Sequence, residues 1–259
     1  MFHSSDENID QKNIQTNQRK KGNLNMPRKK TFVDNQFEGH PLCNVPREFS
    51  YNYIRTIVDL VSTMTERHSK VLVARFDLRY PQGYEADGSN SDFSMTMQAV
   101  CRDFSQKKYD PQYIARREQQ NSRNPHYHVG LVLNGNKKRS IHDIRTTIEK
   151  HWAEQLQLPL SEVQEKALIY PCNRAPDGSH RPNGRMINRN SLNVHTQTEE
   201  TIRQLSYLGK IDENDATDPS TRKFFASQFY KDYSRTMNLK RYWAERRTDA
   251  SSSESIPSE

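Results

Sequence analysis

Two strand-like runs separated by five turn-forming residues constrain this chain most. "PQYIARREQQ", Pro111 to Gln120, and "HYHVGLVLN", His126 to Asn134, flank "NSRNP". Runs of this kind across such a break predict an antiparallel hairpin. Before it, "SYNYIRTIVDLVSTMTERHSK" carries Tyr53, Ile57, Leu60, Val61 and Met64 at helical spacing. "KVLVARFDLRYP", Lys70 to Pro81, reads as a strand ended by Pro81, Tyr84 to Asn90 as a turn, and Phe93 to Phe104 as a weak helix. After it, "SIHDIRTTIEKHWAEQLQ" predicts an amphipathic helix with Ser140 as N-cap and Ile141, Ile144, Ile148, Trp152 and Leu156 in one stripe. "KALIYP" reads as a short strand and "CNRAPDGSHRPNGRMINRN" as a long loop or hairpin. A helix near Thr198 to Leu208 and the basic aromatic stretch "RKFFASQFYKDYSRTMNLKRYWAERR" follow. Interspersed elements around a hairpin predict an α+β domain on an antiparallel sheet rather than a doubly wound parallel one. No internal repeat is visible, which excludes solenoids and propellers.

The 259 residues suffice for a sizeable core, yet only 32% are hydrophobic and mean hydropathy is −1.05. The polarity lies at the ends. Residues 1–37, with the runs Arg19-Lys20-Lys21 and Arg28-Lys29-Lys30, read as a disordered basic arm, and residues 248–259 as a Ser/Glu/Pro tail. Met26, just before the second basic run, offers an alternative start. Residues 38–247 then form one folded domain. A net charge of +7 and a pI near 9.2 point to a polyanionic partner. No apolar run reaches the length of a membrane span and no secretory leader is visible, so a cytosolic location is expected. Cys43, Cys101 and Cys172, an odd number without CxxC spacing, read as ordinary reduced thiols.

The hairpin also carries chemistry. Side chains repeat every two residues along a strand, so His126 and His128 share one face and Tyr127 takes the other. If residue 120 pairs with 124, Glu118 stands opposite His126, with Cβ atoms about 4.5–5.5 Å apart. Two imidazoles and a carboxylate suit a borderline or hard divalent ion, and three ligands leave positions open for water or a phosphate oxygen. A solvent-facing HxH pair without a metal is the plain alternative, and a non-haem iron oxygenase is another use of the same three ligands.

In "TEETIRQLSYLGKI", Ile202, Leu205, Leu208 and Ile211 form a core stripe, while Arg203, Tyr207 and Lys210 fall on the polar side. Gly209 could end the helix early, which would leave Lys210 aimed by a loop. A tyrosine in such a place is more often core than catalyst. Beside a metal and a lysine, a phenol can instead attack a phosphodiester and become covalently bound to it, with Lys210 holding the phosphate or favouring the phenolate.

"HYH", the upstream Glu118 and "YLGK", which fits Y-x-x-K, together resemble the motif set of HUH endonucleases, the rolling-circle replication initiators. "FDLRYP" resembles their first motif. More narrowly, residues 47–229 resemble inovirus-type replication proteins and their prophage relatives, the YagK/YfjJ C-terminal domain family. The resemblance implies an antiparallel sheet of about five strands with flanking helices and a ferredoxin-like core. It implies Mg²⁺ or Mn²⁺ on His126 and His128 with Glu118 as third ligand, Tyr207 as nucleophile and Lys210 as its helper. It further implies site-specific nicking and joining of one DNA strand at an origin hairpin, in the replication of a phage, prophage or plasmid in a bacterial host. The segment has one tyrosine where two-nucleophile initiators have a second, which implies a one-tyrosine mechanism.

Arg174, His180, Arg181, Arg185 and Arg189 lie in a loop rich in Asn and Gly, suited to phosphate contacts, and Arg222 and Lys223 join them as candidate DNA-binding residues. Phe224, Phe225, Tyr230 and Tyr233 could stack unpaired bases or pack the domain edge. No GxxxxGK[ST] loop is present, so a host helicase is an expected partner. The alternative to an active enzyme is an idle relative that binds DNA hairpins as a regulator.

Overall fold

The computed structural model describes residues 31–227 apart from 44–47, 121, 175–177 and 212–216. Its strands are β1 (Thr31–Phe32), β2 (Gln36–Phe37), β3 (His40–Pro41), β4 (Phe49–Ser50), β5 (Lys70–Leu78), β6 (Gln112–Glu118), β7 (His126–Asn134), β8 (Ile169–Tyr170), β9 (Arg185–Asn188) and β10 (Phe224–Ala226). Its helices are α1 (Tyr51–Arg67), α2 (Ser91–Gln106), α3 (His142–Leu156), α4 (Leu160–Glu165) and α5 (Val194–Leu205), followed by a 3₁₀ turn over Ser206–Gly209.

The main sheet is antiparallel and has six strands, in the order β10-β6-β7-β5-β8, with β9 also on β5. The run β5-α2-β6-β7-α3-β8, with β7 between β6 and β5, is the split βαβ pattern of ferredoxin-like folds. The fold is thus α+β, as the element order predicts. The sheet gains β9 from the segment whose composition predicts a long loop or hairpin, and β10 from the basic aromatic stretch. Both are short, and β10 lies at the sheet's edge.

Alternation along the strands separates two cores. Leu72, Phe76, Tyr127, Val129 and Leu131 face α2 and α3, where Trp152 is fully buried. Val71, Val73, Ile114 and Val132 face α1 and α5. Gly130 allows the second packing: a Cβ there would stand 2.6 Å from Leu205 Cδ2. Gly209 does the same for α1, since its Cβ would lie 2.3 Å from Ile54 Cδ1. These two glycines let the segment after α5 lie close over the sheet.

Two boundaries need correction. The basic arm stops short of residue 37. Thr31–Phe32 pairs with β4, Glu38 and Gly39 at positive φ close a tight hairpin from β2 to β3, and Phe37 is 5% exposed. Three aromatic residues, Phe32, Phe37 and Phe49, pack together there and bind this stretch to the domain. Residues 1–30, with both basic runs, and the tail 248–259 lie outside the described residues. Second, α3 begins one residue later than predicted. Ile141 is its N-cap, while Ser140 Oγ accepts the His142 amide at 3.3 Å. Among the described residues no helix is long and apolar enough to cross a membrane. Cys43, Cys101 and Cys172 are all free and half-buried.

Candidate metal and nucleophile site

The β6–β7 pairing has the register expected from its turn, with Glu118 opposite His126 and Arg116 opposite His128. Glu118 and His128 are buried, at 2% and 4% exposure, and His126 is half-buried. His128 Nε2 lies 3.1 Å from both His126 Nε2 and Glu118 Oε2, and His126 Nε2 lies 3.5 Å from the same carboxylate oxygen. Ligands about 2.0–2.2 Å from one ion at ordinary coordination angles stand about 3.0–3.5 Å apart. These three atoms have that spacing, and among the described residues this is the one such group of three.

Asp77, on β5 opposite His128, was not among the residues singled out from sequence. Its Oδ1 lies 2.5 Å from His128 Nδ1 and 3.2 Å from Cys172 Sγ, with Arg75 Nη2 at 3.7 Å. Burial pushes the Asp77 carboxyl up. The hydrogen bond and charge of His128, then Arg75, outweigh burial and hold it at about 2. An ionised carboxylate can only accept, so Nδ1 donates to Asp77, and Nε2 is the ring nitrogen that faces Glu118 and His126. A histidine ligand oriented by a carboxylate is the usual outer support of a metal site. The signal for Asp77 was a lone acid inside the apolar run of β5.

Glu118 lies in a basic surround. Its Oε1 is 3.1 Å from Lys210 Nζ and 3.3 Å from Arg116 Nε, contacts that are ion pairs rather than well-aligned hydrogen bonds. Burial raises its pKa. Hydrogen bonds to His126 and His128 and the charges of His128 and Lys210 reverse that and hold it well below the usual carboxylate range. A buried carboxylate kept ionised among nitrogen ligands suits a cation.

Tyr207 and Lys210 reach this cluster from the turn after α5. Helix α5 ends at Leu205, the 3₁₀ turn carries Tyr207, and Lys210 is its extended C-cap. Lys210 is therefore aimed by the exit from the turn and not by a shared helix face. It is 6% exposed. Its Nζ donates to Tyr207 Oη at 2.7 Å. The Tyr207 ring meets His128 edge-on at 5.3 Å, and Arg75 Cζ lies 4.1 Å from its centroid. Leu208 is buried beside Leu205 and Ile202, as the stripe predicts, while Ile211 is half-buried and Arg203 exposed.

The other basic residues have diverse surroundings. Arg174 and Arg181 are exposed, and Arg174 and His180 form an isolated bridge. Arg185 lies on β9 and its Nη1 pairs with Glu200 at 2.5 Å. Arg189 Nη1 donates to the Glu66 carbonyl at 2.6 Å and the Thr65 carbonyl at 3.3 Å, at the end of α1. Arg222 is exposed and its Nε donates to the Phe224 carbonyl at 2.8 Å, while Lys223 is half-buried and its carbonyl accepts from the Arg117 amide. Phe225 packs in the core at 5% exposure and Phe224 stacks on Tyr53 at 4.1 Å. Tyr230 and Tyr233 lie outside the described residues.

Among solved structures, the chain is similar to the N-terminal nuclease domain of non-structural protein-1 from minute virus of mice, at 10% identity over 61% of this chain and 99% of that one, with a TM-score of 0.30. That protein is described by Zn²⁺ coordination in its active-site pocket and by DNA recognition at the origin of replication. A likeness this slight carries no argument about this chain. No curated protein matches the sequence. Residues 32–227 match the model of the YagK/YfjJ C-terminal domain, and on that match, which spans most of the chain, the protein belongs to that family.

Proposed function

We propose that this protein is a metal-dependent, tyrosine-mediated DNA strand nicking and joining enzyme of the HUH type. In this reading it initiates rolling-circle replication of an inovirus-like phage, a prophage or a plasmid in the bacterial cytoplasm, with duplex opening left to a separate helicase. The observation that carries it is the single lysine joining nucleophile to cluster: Lys210 Nζ is 2.7 Å from Tyr207 Oη and 3.1 Å from Glu118 Oε1.

Glu118, His126 and His128 would hold Mg²⁺ or Mn²⁺, which when bound supplies Lewis-acid polarisation of a phosphodiester oxygen. The chain's own residues do the rest. Asp77 accepts from His128 Nδ1, which leaves Nε2 as the nitrogen that would hold the ion. Tyr207 Oη attacks phosphorus and loses its proton to solvent, while Lys210 Nζ donates a hydrogen bond to the oxygen. The Oη–P bond forms as the P–O3′ bond breaks, and the leaving O3′ takes up a proton. Arg75 and Lys210, both against the Tyr207 ring, place positive charge where the phosphate enters. Because the phosphotyrosine bond conserves the energy of the broken linkage, the free 3′-OH can later reverse the step. Arg174 and Arg181, exposed on their loop, and Arg222 are the freest of the proposed phosphate contacts.

The test is incubation with Mn²⁺ and end-labelled single-stranded hairpins from around the gene, run on a denaturing gel. A band that survives denaturant, requires the metal and disappears in Tyr207→Phe is expected. Tight hairpin binding without any adduct would replace this reading with that of a DNA-binding regulator.

A further inference from the structure

A cavity of about 530 Å³ opens beside the cluster, between the segment that follows β5 and the tip of the β6–β7 hairpin. Arg79, Tyr80, Tyr84, Arg123, Asn124 and His126 line it. Its volume falls within the roughly 300–1,000 Å³ of small-molecule sites. Its walls are tied together by directed bonds. Asn124 Nδ2 donates to the Tyr84 carbonyl at 2.6 Å, and the Ala86 amide donates to Asn124 Oδ1 at 3.1 Å. On the inner side, Trp152 Nε1 donates to the Arg79 carbonyl at 2.9 Å and Tyr80 Oη donates to Asp92 at 3.1 Å.

Three aromatic rings run outward through this wall. Trp152 is fully buried, Tyr80 is 9% exposed and Tyr84 is half-buried, with centroids 5.1 Å and 5.2 Å apart in turn. Tyr84 is the ring nearest solvent. Arg79 and Arg123 are exposed, and Arg123 pairs with the exposed Glu85 at 2.8 Å, a contact that water and salt weaken. Aromatic rings for stacking and guanidinium groups for phosphate are the two parts of a single-strand binding site.

We propose that this cavity receives one unpaired base of the DNA strand, the base adjoining the phosphate that Tyr207 attacks. The assignment rests on the nicking reading for which phosphate that is. His126 supplies the link, because it lines the cavity and contributes a nitrogen to the cluster. A strand whose phosphate lies over His126 and His128 has its next base within reach of Tyr84. A paired base would have to leave its stack to enter, so the cavity selects single strands or the loops of hairpins. Tyr84 extends the stack of rings by one base, and Arg79 and Arg123 hold the neighbouring backbone.

The first arm of the test measures the affinity of fluorescein-labelled single-stranded DNA, roughly 16 nucleotides long as the largest single-fold sites require, for the full chain carrying Tyr207→Phe, so that no strand is cut. Adding Tyr84→Ala is expected to weaken binding about tenfold, within the range for loss of one base–aromatic stack, and Tyr84→Phe to restore it. Adding Arg123→Ala is expected to lower the salt dependence by about one phosphate contact. The second arm places 2-aminopurine at successive positions around the mapped cut. A fluorescence quench at one position beside the cut, relieved by Tyr84→Ala and kept by Tyr84→Phe, is expected. Unchanged affinity in Tyr84→Ala together with no Tyr84-dependent quench overturns the proposal. If the unsubstituted chain forms the Mn²⁺-dependent adduct while Tyr84→Ala binds normally and no Tyr84-dependent quench is seen, this cavity assignment fails and the nicking reading stands. If Tyr84→Ala weakens binding but no adduct ever forms, single-strand capture at the cavity stands and the nicking reading fails.

Discussion

The two faces of the main sheet are built from the same strands and differ in what covers them. On one, Leu72, Phe76, Tyr127, Val129 and Leu131 form an apolar layer closed by α2 and α3. On the other, β5, β6 and β7 change character partway along: Val73, Ile114 and Val132 lie under α1 and α5, then Asp77, Glu118, His126 and His128 occupy the same face. Buried charge costs several kcal/mol unless it is paired. Both buried carboxylates at this end have an opposite charge within 4 Å: Asp77 has Arg75, and Glu118 has Lys210 and Arg116. The first face stabilises the fold, and the second gathers a Glu/His/His group that could hold a metal ion.

Substitutions should therefore separate stability from chemistry according to face. Trp152→Ala, on the closed face, is expected to cost about 3–5 kcal/mol in denaturant unfolding while the folded fraction keeps its Mn²⁺ affinity. A loss of metal binding there would break the comparison. Gly130→Ala should affect both, because its Cβ would meet Leu205 and Leu208. Overpacking by about 1–3 kcal/mol and a lower adduct yield are expected, read by unfolding and by gel. Asp77→Ala should weaken Mn²⁺ binding about 10–100-fold by calorimetry, the usual effect of losing an outer partner of a histidine ligand. An unchanged affinity would remove Asp77 from the account. The smallest effects separate two arginines. Arg189→Ala should lower stability by about 1 kcal/mol through the lost bonds to the end of α1, with no change in the salt dependence of DNA binding. Arg181→Ala should do the reverse, lowering the salt slope by about one.

The legible part of the site was the part governed by local rules. A turn of known length and the two-residue repeat of a strand place Glu118, His126 and His128 together before any tertiary contact is considered. The pairing of Tyr207 with Lys210 was legible from spacing. Of the two geometries that spacing allows, a shared helix face or a loop-aimed Lys210, the structure has the second, because the chain leaves the helix at Leu205 and Gly209 packs against Ile54. Asp77 was hidden because its contact with His128 depends on the β5–β7 register, and Arg75 because the Tyr207 ring reaches it from the turn after α5, both across more than fifty residues of sequence. β9 was hidden in a stretch rich in Gly, Pro and Asn because it exists through pairing with β5. In the aromatic stretch, Phe225 turned inward and Phe224 stacked on Tyr53, which composition alone leaves undecided between packing and base stacking.

In the proposed reaction Tyr207 becomes covalently bound to DNA. The most direct measurement is tandem mass spectrometry of the Mn²⁺-dependent adduct after nuclease and trypsin digestion. A nucleotide is expected on the peptide Gln204–Lys210, located to Tyr207 and not to the fully buried Ser206 beside it. A nucleotide on any other residue, or only unmodified Gln204–Lys210 in the gel-isolated adduct, would overturn the proposed reaction.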